Sequence, residues 1–246
     1  MSNALTIDIG NTRSKYAVFE GENIVRRGVF DPLYDDLSNL LLKYPGINRG
    51  IISSVGGKVD YCLAQLRGIE TIVLTSDTPL PFKVQPAARG QIGSDRLAVV
   101  AEAYALKPHQ NSLIIDVGTC ITYDILTCDD EQLCGPISPG IKLRFKAMHE
   151  HTSLLPLLDP SNMEPKLLCE NTKECLQSGV TFGVVSEIKE FINAYSNIFN
   201  DLNVFISGGD NIFLENKLKN CIFANSNFLF NGLRYILEYN ENQQVK

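Results

Sequence analysis

Two short stretches of the sequence place the same polar residue types between apolar runs. DIGNT (residues 8–12) and DVGT (residues 116–119) each bring an aspartate, a glycine and a threonine to the point where one predicted strand gives way to the next. A glycine permits a left-handed φ and leaves backbone N–H groups uncovered, while a threonine adds a hydroxyl donor. Such a turn can hold phosphate oxygens, and the aspartate suits a hydrated Mg²⁺ that bridges them. One such turn is typical of an ordinary hairpin, but the duplication favours phosphate binding.

A third stretch, GSDR at residues 93–96, places an acid beside a base at the start of an Ala- and Leu-rich helix that stops before Pro108. Ser94 or Asp95 could simply cap that helix, an interaction worth about 1 kcal/mol. Arg96 fits capping poorly, because a cation in the first turn opposes the helix dipole. A guanidinium can bind a carboxylate through two hydrogen bonds, and an aspartate can accept a hydroxyl proton. The pair therefore suggests a general base beside an anion clamp.

The remaining polar motifs carry less chemistry. SGGD (residues 207–210) ends an apolar run with two glycines, which would let a flat ring or a ribose approach the backbone. Asp210 could equally cap the next helix. His109, His149 and His151 lie in a loop and a polar stretch, which is typical of surface histidines. No pattern indicates a Ser/His/Asp or Cys/His nucleophile.

The sequence between these motifs predicts the elements that hold them. Its periodicity indicates three strands joined by tight turns, followed by alternating helices and strands. The predicted strands cover residues 4–9, 14–20, 23–30, 50–55 and 71–75, and the predicted helices cover residues 35–44 and 58–67. The first part of the chain therefore has the order βββαβαβ.

The same order begins again at residue 111. Strands are predicted over 112–117, 120–127 and 131–138 and from 203 onwards, and helical spacing covers 139–149, 182–198 and 227–239. The Pro- and Leu-punctuated segment 150–175 has no clear period. Two copies of one topology predict an α/β protein with two similar lobes, residues 1–110 and 111–246, with a cleft between them.

Composition narrows the function classes. A chain of 246 residues that is 44% hydrophobic can bury a sizeable core. No apolar run approaches the roughly 20 residues that cross a bilayer, and no secretory signal begins the chain, so we expect a cytoplasmic protein without a membrane partner. Seven cysteines without a CxxC pair favour reduced and mostly buried thiols over disulfides or zinc. A net charge of −6 without a dense Lys/Arg run argues against nucleic-acid binding.

Taken together, the motifs resemble those of the type III pantothenate kinases, within the actin-like superfamily of acetate kinases, sugar kinases and heat-shock ATPases. The resemblance covers nearly the whole chain and is carried by DIGNTRSK (8–15), GSDR (93–96), DVGTCIT (116–122), GPISPGIKLR (135–144), SGVTFG (178–183) and SGGD (207–210). It implies two actin-like, ribonuclease H-like lobes. It also implies ATP-dependent phosphorylation of pantothenate to 4′-phosphopantothenate, the first step of coenzyme A synthesis, with Mg²⁺ and with K⁺ or NH₄⁺.

The resemblance also implies roles for individual residues. ATP would be bound by Asp8, Ile9, Gly10, Asn11, Thr12, Arg13, Ser14, Lys15 and Thr119. The pantothenate pocket would be lined by Gly93, Ser94, Asp95, Arg96 and Thr181. Asp95 would be the proton acceptor, and Asp116 would help to bind the monovalent cation. A homodimer is implied as well, in which the partner completes the pantothenate site.

Two departures from the family pattern concern the edges of the site. The family commonly has a tyrosine bordering the pantothenate pocket ahead of the Asp-Arg pair, whereas residues 82–93 contain none and Phe82 is the nearest aromatic residue. Ser207 replaces a commoner threonine. Two other functions stay open, namely another small-molecule kinase of the superfamily and a non-catalytic nucleotide-binding regulator. A regulator would be expected to lack Asp95 or one of the two aspartate turns, and this chain has Asp95 and both turns.

Overall fold

A computed structural model describes residues 3–160, 165–209, 214, 217–218 and 220–244. Packing groups the chain into two compact units that are not continuous in sequence. The first comprises Met1–His109, Leu126–Cys134 and Asn227–Lys246, and the second comprises Gln110–Ile125 and Gly135–Ser226. By packing, residues 126–134 and the C-terminal residues from 227 onwards belong with the first unit. The predicted boundary at residue 110 concerns the duplication of topology, not packing, and it stays a prediction.

The first unit is built on a five-stranded sheet. Its strands are β1 (Asn3–Ile9), β2 (Ser14–Glu20), β3 (Asn23–Phe30), β4 (Ile47–Ser54) and β5 (Glu70–Val73), in the order β3-β2-β1-β4-β5. β1, β2 and β3 are antiparallel neighbours, while β1 pairs with β4 and β4 with β5 in parallel. With α1 (Ser38–Lys43) after β3 and α2 (Val59–Gln65) after β4, the predicted βββαβαβ order is confirmed.

The burial of β1 agrees with its central position in the sheet. Its residues from Ala4 to Ile9 are all buried, as expected for a strand covered on both faces, whereas the edge strand β3 is mostly exposed or half-buried. Two helices pack against each other in the same unit, α3 (Ser94–Leu106) and α6 (Phe228–Gln244). Gly232 allows this close approach, because a Cβ there would lie 1.8 Å from the carbonyl oxygen of Ala98.

The second sheet repeats the first. Its strands are β6 (Lys83–Val84), β7 (Ser112–Val117), β8 (Cys120–Leu126), β9 (Glu131–Pro139), β10 (Asn203–Ser207) and β11 (Ile222–Phe223), in the order β11-β10-β7-β8-β9-β6. The run β9-β8-β7-β10-β11 matches β3-β2-β1-β4-β5 strand for strand, and β7 pairs with β10 and β10 with β11 in parallel. The predicted duplication of topology is therefore confirmed.

The remaining differences from the predicted elements are local. β6, β11 and a 3-10 turn at Pro86–Ala88 are too short for periodicity to detect. α4 (Ile141–Glu150) follows β9 as predicted, and α5 (Thr172–Ser196) begins ten residues earlier than its apolar spacing indicated. Asn171 explains that start, since its side chain accepts a hydrogen bond from the backbone N–H of Glu174. No helix of the described ranges combines the length and the apolar character needed to cross a membrane.

Candidate active site

The first predicted phosphate turn lies between β1 and β2. The N–H of Gly10 donates to the carbonyl oxygen of Arg13 at 3.2 Å, and Asn11, Thr12 and Arg13 are exposed at the turn. Gly10 does not take a left-handed φ, so that explanation for the glycine is wrong. Space is the reason instead, because a Cβ on Gly10 would lie 3.0 Å from the Arg13 carbonyl oxygen and 3.9 Å from Asp8 Oδ2.

Two charged residues stand opposite each other at the base of this turn. Asp8 on β1 is buried, and its register partner on β2 is Lys15, which is exposed. Directly opposed residues share one face of a sheet. The Asp8 carboxylate and the Lys15 ammonium therefore lie on the same face, one on each side of the turn. The side chains of Ile9 and Ser14 are buried, and the carbonyl oxygen of Ile9 accepts from the N–H of Val55 at 3.1 Å. Ile9 and Ser14 therefore support the turn from the buried side.

Ser94 ties the start of α3 to the end of β4. Its hydroxyl lies 3.0 Å from Ser53 Oγ, 2.8 Å from the backbone nitrogen of Ser54 and 3.2 Å from the carbonyl oxygen of Ser54. Ser94 therefore does not cap its own helix, and its buried hydroxyl serves to anchor α3. Because Ser53 is the register partner of Asp8 on β1, this anchor brings the Asp-Arg pair beside the first phosphate turn.

Asp95 is held in the first turn of α3 by its own backbone surroundings. Its Oδ1 accepts a hydrogen bond from the N–H of Arg96 at 2.8 Å, so it does satisfy one N–H group at the helix start. A Cβ at Gly93 would lie 2.4 Å from that oxygen, so a side chain there would displace the Asp95 carboxylate. Burial raises the pKa of Asp95 above its ordinary value, although the N–H and the positive charge of Arg96 act in the opposite direction. Such a carboxylate is well suited to accept a proton.

Arg96 is itself a buried charge, with 9% of its surface exposed. A buried guanidinium in the first turn of a helix is costly and opposes the helix dipole. Its position beside Asp95 fits the predicted anion clamp. Phe82, by contrast, is buried against Tyr104 with ring centroids 6.3 Å apart, and it contributes to the core of the first unit.

The second phosphate turn is shorter than the first. Only Gly118 and Thr119 separate β7 from β8, and the N–H of Gly118 donates to the carbonyl oxygen of Cys120 at 3.0 Å. Asp116 pairs in register with Ser207 on β10, just as Asp8 pairs with Ser53 on β4. The two aspartates therefore occupy equivalent positions, each near the carboxyl end of a central strand where ligands bind in open α/β sheets.

Two glycines from elsewhere in the second unit press against this second turn. The N–H of Gly140 donates to the carbonyl oxygen of Thr119 at 3.0 Å, and a Cβ on Gly140 would lie 2.1 Å from the carbonyl oxygen of Gly118. Gly208 has φ +101°, and its Cβ would lie 2.2 Å from the carbonyl oxygen of Val117. Gly208 is thus explained by strand packing, while Gly209 has open space around its Cα. Asp210 lies outside the described residues.

A polar cluster centred on α5 could not be predicted from the spacing of residues along the chain. Glu187 accepts hydrogen bonds from the Tyr123 hydroxyl at 2.9 Å, from the Ser138 hydroxyl and from the Arg144 guanidinium. The four residues come from four different elements, so no local spacing could reveal them. Thr181, on the same helix, has no exposed surface, and its contact with pantothenate stays a prediction.

The donor groups beside the two turns fit a divalent ion bound together with phosphate. Among the described residues no group of three or more His, Cys, Asp or Glu side chains could hold a metal ion. Mg²⁺ commonly binds through one or two carboxylates together with phosphate oxygens and water. Asp8 and Asp116, each beside a phosphate turn, match that mode of binding.

The histidines are surface residues as predicted, but the expectation of mostly buried cysteines is wrong, since only Cys62 of the seven is buried. His109, His149 and His151 are exposed, and His109 Nδ1 lies 2.9 Å from a carboxylate oxygen of Asp130. All seven cysteines are free. Cys120 adjoins the second phosphate turn, since its carbonyl oxygen accepts from the N–H of Gly118.

Similar solved structures define the fold. The chain is similar to a conserved protein of the Baf family of transcriptional activators from Campylobacter jejuni, with a TM-score of 0.64, 21% identity and coverage of 97% of this chain and 99% of that one. It is also similar to the activator of 2-hydroxyisocaproyl-CoA dehydratase from Clostridium difficile with bound ADPNP, with a TM-score of 0.56, 13% identity and coverage of 99% and 98%. A ROK hexokinase from Thermus thermophilus gives a TM-score of 0.52 at 9% identity and coverage of 98% and 99%. The fold is therefore that of the actin-like ATPases and sugar kinases, as predicted.

Sequence relatives define the family. A family model described as type III pantothenate kinase matches residues 4–194. A type III pantothenate kinase from Christiangramia forsetii is 42% identical over 242 residues, covering 97% of this chain and 99% of the relative. Another from Flavobacterium johnsoniae is 38% identical, covering 96% and 97%. The chain belongs to the type III pantothenate kinase family.

Proposed function

We propose that this protein transfers the γ-phosphoryl group of ATP to the primary hydroxyl of pantothenate, forming 4′-phosphopantothenate at the start of coenzyme A synthesis. The observation that carries the proposal is the pair of half-buried Asp95 and buried Arg96, which Ser94 anchors to the strand beside the first phosphate turn. Family membership supports the choice of pantothenate as the acceptor.

In the proposed reaction the chain's own residues place the reactants and offset charge. Arg96 would bind the pantothenate carboxylate through its planar fork. Asp95 would orient the hydroxyl and accept its proton as the oxygen attacks the γ-phosphorus in line. The exposed residues Asn11, Thr12 and Arg13, together with Lys15 and Thr119, would hold the phosphates. Most of the rate acceleration would then come from positioning and electrostatics.

The proposal includes two kinds of cation. Mg²⁺ would be held by Asp8 together with the phosphate oxygens, and K⁺ or NH₄⁺ would be held with the help of Asp116. When bound, these ions supply positive charge that stabilises the phosphates during transfer. The equivalent positions of the two aspartates support one carboxylate beside each turn, and the assignment of Asp116 to the monovalent cation follows the family resemblance.

We also propose a cytoplasmic homodimer. Seven free cysteines agree with a reducing compartment. The segment between α4 and α5 carries four exposed leucines, Leu154, Leu157, Leu167 and Leu168. Exposed apolar residues gathered in one segment are typical of a protein–protein contact, and a second copy of the chain is the partner that the family resemblance implies.

A coupled assay for ADP release tests this function. Pantothenate should support turnover with ATP, Mg²⁺ and K⁺, whereas glucose, N-acetylmannosamine and acetate should not. Turnover with one of those other acceptors alone would indicate a different kinase of the superfamily. ATP binding without turnover on any acceptor would indicate a regulator. Replacing K⁺ with Na⁺ should reduce the rate, and equal rates in both salts would remove the monovalent cation from the proposal.

A further inference from the structure

The Glu187 cluster joins three elements of the second unit through one carboxylate. Tyr123 on β8 and Ser138 on β9 donate to Oε1, and Arg144 on α4 donates to Oε2. Tyr123 is fully buried, and its ring centroid lies 4.4 Å from that of Phe191 on α5. Burial raises the pKa of Glu187, but hydrogen bonds from Ser138, Arg144 and Tyr123 outweigh it, so its pKa lies below the ordinary value. The carboxylate is therefore ionised at neutral pH and fully engaged.

Arg144 extends this cluster to the second phosphate turn. Its Nε donates to the carbonyl oxygen of Pro139 at 2.8 Å, and its backbone N–H donates to the carbonyl oxygen of Gly140 at 3.0 Å. The next link is the hydrogen bond from Gly140 N–H to the carbonyl oxygen of Thr119. The absence of a side chain on Gly140 lets its backbone lie directly against Gly118. A continuous set of contacts therefore runs from Glu187 to the turn.

We propose that Glu187 is a positioning residue for nucleotide binding, acting through Arg144 and Gly140 to fix the backbone of Gly118 and Thr119. The inference rests on the proposed function, in which Thr119 contacts ATP. We expect its effect to fall mainly on ATP, because the hydrogen bonds that leave the cluster lead to the second phosphate turn, while Arg144 Nη1 lies near Gly183 on α5. A residue that merely stabilised the fold would have no reason to favour one substrate over the other.

Glu187→Gln is the central variant for testing this proposal. Glutamine has nearly the same shape and keeps an oxygen that can accept from Tyr123 and Ser138, but it loses the negative charge opposite Arg144. We expect KM for ATP and Kd for Mg-ATP, the latter measured by calorimetry, to rise roughly 10-fold, as is usual when an outer partner of a binding group is lost. KM for pantothenate should stay within about twofold of the unaltered protein.

Two further variants keep the test decisive. Arg144→Lys keeps the positive charge but lacks the second donor to Pro139, so we expect a smaller rise in KM for ATP, and this variant serves if Glu187→Gln does not fold. Arg234→Gln is the matched control, because it removes an ion pair with Glu238 whose side-chain exposure, 15% and 31%, is similar to that of the Arg144–Glu187 pair, 22% for each. It should lower the melting temperature without changing the ratio of the two KM values.

The outcomes separate this inference from the proposed function. If the unaltered protein phosphorylates pantothenate but Glu187→Gln and Arg144→Lys both leave the ratio of KM values unchanged, the positioning role is wrong and the kinase function stands. If pantothenate is not a substrate but Glu187→Gln weakens Mg-ATP binding and Arg234→Gln does not, the pantothenate kinase function is wrong and the positioning role stands. If the unaltered protein binds no Mg-ATP, both are wrong.

Discussion

At the scale of single residues, Asp95 combines two roles that sequence reasoning kept apart. It satisfies the N–H of Arg96 at the helix start, and its carboxyl group is buried enough to have a raised pKa. A residue placed only for capping gains nothing from burial, because desolvation disfavours its charged form. The free-energy cost of desolvating the Asp95 carboxylate is understandable if this group must accept a proton.

Asp95→Asn should reduce kcat by roughly 10²- to 10⁴-fold, the usual contribution of a positioned general base. Asparagine keeps an Oδ1 that can accept from the Arg96 N–H, so the helix start is preserved. Steady-state kinetics with saturating ATP measures the effect. Asp60→Asn, which changes an exposed aspartate in the first turn of α2, is the control and should leave kcat unchanged. Turnover of Asp95→Asn within about threefold of the unaltered protein would show that Asp95 is not the base.

The raised pKa of Asp95 also predicts how stability depends on pH. The folded-state pKa of Asp95 lies above the unfolded value, so the folded protein binds the proton more tightly than the unfolded chain. The free energy of unfolding therefore falls as pH rises through the folded pKa. Asp95→Asn should therefore be more stable than the unaltered protein at pH 8, and the difference should vanish below about pH 4. Urea unfolding across this range measures it. A difference that grew as pH fell would contradict the raised pKa.

Arg96→Lys tests the carboxylate clamp. Lysine keeps the positive charge but lacks the planar fork that pairs with a carboxylate through two hydrogen bonds. We expect KM for pantothenate to rise, with KM for ATP little changed. Both constants come from initial rates measured with one substrate varied at a time. A selective rise in KM for ATP would instead assign Arg96 to the phosphates.

At the scale of elements, the phosphate turns depend on backbones that approach from elsewhere in the same unit. Gly56, just beyond β4, lies close enough to the first turn that a Cβ there would be 3.4 Å from the carbonyl oxygen of Gly10. Gly140 and Gly208 do the same for the second turn at much shorter distances. The shape of each turn is thus fixed by its neighbours as well as by its own residues.

Gly140→Ala should therefore displace the second turn, because its Cβ would lie 2.1 Å from Gly118 O and 2.7 Å from Thr119 O. We expect a lower free energy of unfolding and a higher KM for ATP. Gly179→Ala is the control, since Gly179 is an exposed residue within α5 and its Cβ would meet no atom within 4 Å. That change should raise the free energy of unfolding by about 0.5–1 kcal/mol. Similar effects of the two substitutions on stability would mean that the contact at Gly140 is easily relieved.

At the scale of the whole molecule, the prediction concerns assembly. Leu168→Glu places a charge on one of the four exposed leucines between α4 and α5, and we expect it to shift the protein from dimer towards monomer in analytical ultracentrifugation. Leu42→Glu is matched in exposure, 78% against 89%, but lies on α1 of the first unit, and it should leave the dimer intact. Dimers of equal strength in both variants would place the interface elsewhere.

The sequence by itself determined the elements that follow from local periodicity. β2 and β3 begin and end at the predicted residues, as does β7, because alternating or continuous apolar runs and their turn residues are local signals. The sequence also determined the duplicated aspartate turns and the Asp-Arg pair, since the residue types themselves carry that chemistry.

Only the tertiary structure decided how those residues are held. The hydrogen bond between Ser94 and Ser53 joins residues that are far apart in the chain, and the Glu187 cluster draws on four separate elements. The placement of α6 with the first unit depends on the close approach of Gly232 to α3. Such contacts depend on which strands pair and which helices meet, and no spacing along the chain encodes them, because they arise only when the whole chain has packed.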